Sequence, residues 1–285
     1  MLEQQTQLAK TQLQLASGKR INAPSDDPTG SAQLLGISEV VQVTGQYQKN
    51  INHVRGRLEL EDTALGSIGD ALQRARELTV QALNDTNGPD DRAGIAQEVR
   101  QLMDEVTGLA NRKDATGEYL FGGFQGQNAP FSSNGVGTFT YAGDQGRRQL
   151  QVGPARTIPD GDSGLDVFMK IPAGGGGFED VFSTLYKLAT DLEADAPNPA
   201  SLDQLDAAMN HLLGVRATTG ARLNAVESQE SINNALLEQL ETTRSSIEDL
   251  DYAEAASRLS QQSVTLQAAQ QAFVRVQGLS LFNFL

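Results

Sequence analysis

The sequence predicts a mainly α protein with a small β-rich insert: a long antiparallel helical bundle formed by both chain ends, with a β domain set in the middle. Two observations carry this prediction. A seven-residue apolar step recurs near each end, and the stretch between is rich in glycine and phenylalanine. Toward the N-terminus the step runs Ile37, Thr44, Ile51, Leu58, Leu65, Leu72, Thr79, partnered three residues on by Val40, Tyr47, Val54, Glu61, Ile68, Ala75 and Ala82. Toward the C-terminus it runs Leu205, Leu212, Thr219, Val226, Asn233, Leu240, Ile247, partnered by Ala208, Val215, Arg222, Gln229, Leu236, Thr243 and Leu250. Spacing of three and four places side chains on one helical stripe, and a stripe held over several heptads marks coiled-coil-like packing. The two stripes are expected to meet in one rod. With 5% aromatic residues and no Trp in a chain that is 39% hydrophobic, thin bundles are favoured over one thick core.

Each element has its own local cause. Leu2 to Ala16 is rich in Gln, Leu and Ala, with Leu8 and Leu15 one heptad apart, so it reads as helix. Gly18, Pro24 and Pro28 stop it. Asp27 before Pro28 reads as an N-cap with proline at the first helical position, so a long helix is expected from there to about Asn84. Asn84-Asp85-Thr86-Asn87-Gly88-Pro89 turns the chain, and Asp90 and Asp91 suit the positive end of the next helix. That helix carries Ile95, Val99, Leu102, Val106 and Leu109, and so short a connection makes it an antiparallel neighbour of the first.

From Gly117 to Gly177 the composition changes. Of the 28 glycines, 15 fall here, with Phe121, Phe124, Phe131, Phe139 and Phe168. Thr138 to Tyr141 and Gln149 to Val152 alternate as strands do, between turn residues. Helices are expected again over Phe178 to Glu193 and after Asn198-Pro199. In the last helix the stripe skips one residue near Asp251, passing from Ile247 and Leu250 to Ala255, Leu259, Leu266, Ala269, Phe273 and Val276. One residue turns a stripe by about 100°, so the terminal segment is expected to face other partners.

The composition also excludes chemistry. A net charge of −14, with basic residues gathered in no more than short pairs such as Lys19-Arg20 and Arg147-Arg148, disfavours nucleic acid and anionic membrane as partners. No cysteine is present, and the two histidines, His53 and His211, stand far from one another, so no metal site is expected. Gly18-Lys19 is no phosphate loop, because Leu13 stands where glycine is needed and Arg20 where Ser or Thr is needed. Asp160-Gly161-Asp162-Ser163-Gly164 reads as a polar turn and not a calcium loop, since Ile171 occupies the position of the bidentate Glu. With no nucleophile elbow either, neither an enzyme, a cofactor nor a small-molecule substrate is expected. No apolar run is long enough to span a membrane and no cleavable signal opens the chain, so any export is expected by another route. Arg222 and Asn233, polar within the stripe, either fix register or a partner, or sit as solvated gaps.

Three ordered segments carry a family resemblance. Leu15-Ala16-Ser17-Gly18-Lys19-Arg20-Ile21 followed by Ser25-Asp26-Asp27 resembles the N-terminal signature of bacterial flagellins and their relatives. Leu72 to Ala82 with the Asn87-Gly88 turn is similar to a helix of that family's inner rod domain, and Ile247 to Ala255 to its C-terminal hinge. Gly117 to Gly123 with Pro130-Phe131, and the ending Val276 to Leu285, resemble the family's hook-filament junction members, the smaller of the two kinds. The alternative reading within the family is a short filament flagellin, although filament flagellins commonly finish on a Leu-Leu-Arg type end.

The resemblance implies a structural subunit of the flagellum that joins hook to filament. It implies residues 1–24 and 251–285 as terminal inner-tube helices, the N-terminal part incomplete, 25–120 and 178–250 as the helical rod domain, and 121–177 as a β-rich outer domain. Implied partners are flagellar hook-associated proteins and flagellin, other copies of the chain, and an export chaperone on the C-terminal helix, with export through the type III apparatus uncleaved and an extracellular location. The assembly interface is expected at Leu259, Leu266, Phe273, Val276, Leu279, Leu281, Phe282 and Phe284, and the rod core at Ile51, Leu58, Leu65, Leu72, Leu240 and Ile247.

Overall fold

Asp27 opens the longest helix by accepting the Gly30 N–H on its Oδ1 at 2.9 Å, the N-cap bond its place before Pro28 predicts. The computed structural model describes residues 2–173 and 176–278. Among these, six α-helices run α1 Leu2–Ser17, α2 Pro28–Ala82, α3 Pro89–Ala110, α4 Val181–Glu193, α5 Ala200–Glu248 and α6 Tyr252–Gly278. Between α3 and α4 lie six short strands, β1 Phe131–Ser133, β2 Phe139–Tyr141, β3 Gln149–Gly153, β4 Arg156–Pro159, β5 Ile171–Ala173 and β6 Gly177–Glu179, with one π-helical turn at Leu165–Met169. By its contacts the chain divides into two units, residues 46–233 and the residues up to 45 together with those from 234 onward.

In the 46–233 unit, arginine contacts record the antiparallel register. Arg92 Nε donates to the Ala82 carbonyl at 3.1 Å and Arg74 reaches Glu98 at 2.8 Å, so α3 runs back along α2. Arg76 with Asp206 at 2.6 Å and Arg216 with Asp62 at 3.0 Å set α5 antiparallel to α2. Such exposed pairs are worth little individually. The energy lies in the stripe, where Val54, Leu58, Leu65, Ile68 and Leu72 on α2 and Leu205 and Val226 on α5 are fully buried. Thr79 and Thr219, polar on paper, return their hydroxyls to the Ala75 and Val215 carbonyls four residues back and so enter the core without an orphan donor.

The insert makes three separate antiparallel hairpins, β1 with β2, β3 with β4 and β5 with β6. Its phenylalanines enter the helical core. Phe121 meets Phe168 edge-on at 4.9 Å, Phe131 meets Phe168 at 5.4 Å, and Phe139 stacks on Phe182 of α4 at 5.2 Å. A second core forms where Val152 and Ile158 of the β3–β4 hairpin pack on Ile51, Val54, Leu58 and Val226. The β1–β2 turn needs glycine at Gly137: φ is +84°, and an added Cβ would stand 2.4 Å from the Tyr186 ring.

Two expectations are corrected here. The helix expected from Phe178 begins at Val181, because Asp180 caps it through the Ser183 N–H at 2.7 Å and Phe178 belongs to β6. The register skip near Asp251 is a full break between α5 and α6, for Asp251 Oδ1 accepts the Ala253 N–H at 2.9 Å and the Glu254 N–H at 3.1 Å and starts a new helix.

In the other unit, α1 pairs with α6, and the turn after α1 is stitched to the end of α5. Arg20 N–H donates to the Glu248 carbonyl at 2.6 Å, Leu250 N–H to the Gly18 carbonyl at 3.1 Å, and the Arg20 guanidinium to the Ile247 carbonyl at 2.8 Å. Lys19 pairs with Glu248. Gly18 has φ +71° and lies under the Tyr252 hydroxyl, 2.7 Å from where a Cβ would be, so the turn admits no side chain.

Candidate functional site

Two regions carry side chains that packing alone does not require. The first is the helical surface of α1 and α6. Ala255 is buried, and Leu259, Leu266 and Ala269 are half-buried, as are Leu8 and Leu15 of α1. Gln14, buried on α1, donates its amide to the Arg20 carbonyl at 2.6 Å. The Leu250 N–H donates to the Gly18 carbonyl and fixes the register where α6 begins, and the exposed apolar residues lie near its other end. There Phe273 is 49% exposed, and Val274 and Val276 are 67% and 68% exposed. A helix with apolar side chains exposed on two sides has surface to offer another chain.

The expected residues therefore fall in different settings. Ile51, Leu58, Leu65 and Leu72 are fully buried, whereas Leu240 and Ile247 are half-buried. Leu259 and Leu266 lie half-buried, and Phe273 and Val276 are exposed. Leu279, Leu281, Phe282 and Phe284 lie outside the described residues.

The second region is the joint of the insert with α2 and α5. Arg222 of α5 holds Asp162 with both Nη groups of its guanidinium, at 2.8 and 3.0 Å. Asn233, 2% exposed, donates to the Val152 carbonyl at 3.0 Å and accepts from Gln229 at 2.9 Å. The two polar interruptions of the α5 stripe are thus partners of the insert and not solvated gaps. On α2, Arg57 pairs with Asp114, donates to the Leu120 carbonyl at 3.4 Å and lies 3.4 Å from Asp160. Arg148 joins Glu118 at 2.8 Å, and His53 lies 3.6 Å from Asp160. His211 shares a hydrogen bond with the Asp166 carbonyl at 2.9 Å.

Burial pushes the Asp114 carboxyl up, but hydrogen bonds from the Thr116 hydroxyl and the Glu118 and Thr116 N–H groups, with the Arg57 charge, outweigh it and hold the group below its ordinary value. Among the described residues no cluster of three or more His, Cys, Asp or Glu is arranged to hold a metal ion. The polar turn Asp160 to Gly164 is a docking loop whose aspartates answer arginines. Sequence reasoning missed Arg57, Asp114, Asp160, Asp162 and Glu61 as one cluster. The available signal was that Glu61 and Arg222 both occupy stripe positions, and a buried charge demands a partner.

The chain matches two family models, the bacterial flagellin N-terminal helical region over residues 1–126 and the bacterial flagellin C-terminal helical region over residues 202–285. It is 32% identical to flagellar hook-associated protein 3 of Escherichia coli K12, across 95% of this chain and 90% of that protein. It is 31% identical to the flagellin of Bacillus subtilis, across 92% of this chain and 86% of that protein. Among solved structures it resembles Xanthomonas campestris FlgL, with 25% identity and a TM-score of 0.67, covering 73% of this chain and 99% of the other.

Proposed function

The chain belongs to the flagellar hook-associated protein 3 family within the bacterial flagellins, and from this we infer that it is a structural subunit of the flagellum that joins hook to filament. The observation that carries the reading is the match to a hook-associated protein along nearly the whole of both chains. The subunit works by packing and not by chemistry. Heterologous contacts between its helices and those of neighbouring copies do not close on themselves and so continue a helical tube.

In this reading residues 1–24 and 251–285 form the inner layer of the tube, 25–120 and 178–250 the rod, and 121–177 the outward domain. Leu259, Leu266, Phe273 and Val276, with Leu279, Leu281, Phe282 and Phe284, are the contact residues, supported by the exposure of Phe273 and Val276. The same apolar C-terminal helix serves an export chaperone before assembly, and the subunit leaves the cell uncleaved. Its partners are other hook-associated proteins, flagellin and copies of itself.

The test is deletion of the gene, followed by restoration, with electron microscopy of the cell surface. Hooks without filaments, and flagellin shed into the medium, are the expected result. A second reading, a short filament flagellin, draws on the similarity to the Bacillus subtilis flagellin. Purified subunits that polymerise alone into long filaments would favour it, and normal filaments after deletion would overturn the junction role.

A further inference from the structure

Glu61 occupies a stripe position on α2 and is 2% exposed, yet neither of its carboxylate oxygens has a hydrogen-bond partner of normal geometry. Around it the charges are already matched. Arg222 of α5 turns both Nη groups to Asp162. Arg57, one turn back on α2, spends its Nη nitrogens on Asp114 and the Leu120 carbonyl, and its Nε, which makes no hydrogen bond, lies 3.4 Å from Asp160 and not against Glu61. In the insert, Arg147 lies 3.4 Å from Asp162 and 3.2 Å from Asp166, and Arg148 turns to Glu118 and Asp160. His53 of α2 faces Asp160. Among the described residues no lysine, arginine or histidine nitrogen comes within 4.0 Å of the Glu61 carboxyl. The loop that passes over it is Asp160 to Gly164, with a Cβ at Gly161 falling 3.6 Å from Glu61 Oε2. A charged carboxylate there would be buried, unpaired and beside Asp162, an arrangement that strongly disfavours the ionised form.

We propose that Glu61 is held in the folded subunit as a neutral carboxylic acid, and that this proton acts as a latch seating the Asp160–Gly164 loop on α2 and α5. Loss of the proton places a second negative charge against Asp162 and sets Glu61 competing for Arg222 and Arg57, the two cations that hold the loop and Asp114. The loop follows directly on β4 of the β3–β4 hairpin, so the joint between helices and insert responds to alkalinity.

Electrostatics agree with the geometry. Burial first, and the Asp162 charge second, push the Glu61 carboxyl up to about 8, against the opposing pull of Arg222, the Asp162 N–H and Arg57. An unfolded glutamate releases its proton near 4.5. The folded chain therefore binds the extra proton between these values, and the stabilisation is complete below about 4.5. It is lost progressively as pH rises to about 8, and is constant above that.

The experiment compares the full chain with Glu61→Gln, which keeps the shape and cannot ionise. Melting temperatures are recorded from about pH 5 to 9, with hydrogen exchange over residues 158–166. The expected result is a difference that moves steadily in favour of Glu61→Gln up to about pH 8 and then levels, with faster opening of the loop confined to the wild type. A difference that does not change with pH would overturn the latch. A second measurement does not depend on how the variant folds: carbon-13 titration of the glutamate carboxyls in the wild-type chain. A glutamate titrating near pH 8 supports the proposal, and titration of every glutamate below about pH 6 sinks it.

Discussion

Arg222 on α5 and Asp162 in the loop after β4 are 60 residues apart in sequence and meet through two hydrogen bonds, at 2.8 and 3.0 Å, with 14% and 6% of their side chains exposed. Truncating one partner strands the other in a setting where water cannot solvate it. Arg222→Met is expected to cost about 3 kcal/mol, read from the urea midpoint. Converting both partners, with Asp162→Leu added, should recover part of that loss. A single variant as stable as wild type would mean that the pair is solvated in solution.

Acid should loosen the same joint from another side. Asp114 is held below its ordinary 3.8, so its stabilising contribution is present above that value and is lost as pH falls through the lower folded one. Asp26, held down first by its bond to Lys10, and Glu193, held down first by Arg100, act in the same direction. Asp114→Asn should therefore be less stable than wild type at neutral pH and show a shallower decline below about pH 4, followed by circular dichroism. Parallel acid limbs would count against it.

Gly137→Ala tests the β1–β2 turn. The new methyl meets the Tyr186 ring at 2.4 Å, and alanine is strained at φ +84°. A loss of about 1 to 3 kcal/mol is expected from backbone strain alone. Gly135, also at positive φ but with nothing within 4 Å of a Cβ, separates the two causes, since its alanine variant bears strain without the clash.

Phe273→Asp should leave the monomer intact. Phe273 is 49% exposed, and its replacement should shift stability by less than about 0.5 kcal/mol. The same change should block incorporation at the junction, scored by swimming in a deletion strain carrying the variant. Full motility would remove Phe273 from the assembly surface.

Much of the fold was legible because it is written locally. Asp27-Pro28, Asn87-Gly88-Pro89 and the seven-residue step from Ile51 to Leu72 each act within a few turns of the chain, and the helices begin and end where these signals stand. The joint was half legible. Asn233 and Arg222 stand out as polar in an apolar stripe, but what answers them, the Val152 carbonyl and Asp162, lies 81 and 60 residues away in an insert whose hairpins pair by tertiary contact. Glu61 stands in the stripe without any local sign of its setting, because the loop that buries it, Asp160 to Gly164, arrives from about 100 residues further along the chain. Phe178 misled for a simpler reason: an apolar residue before a helical stretch reads as helix until Asp180 is recognised as the cap.

The stitching of Gly18, Lys19 and Arg20 to Ile247, Glu248 and Leu250 has a temporal side. Arg20 is made early, and its acceptor at Ile247 follows 227 residues later. At roughly 5 to 20 residues per second, synthesis keeps that turn waiting for about 10 to 50 s. Throughout that interval the donors destined for Ile247 and Glu248 lack those partners, and the turn stands open to proteases and binding proteins. Once the end of α5 emerges, the same atoms are taken and the opening closes.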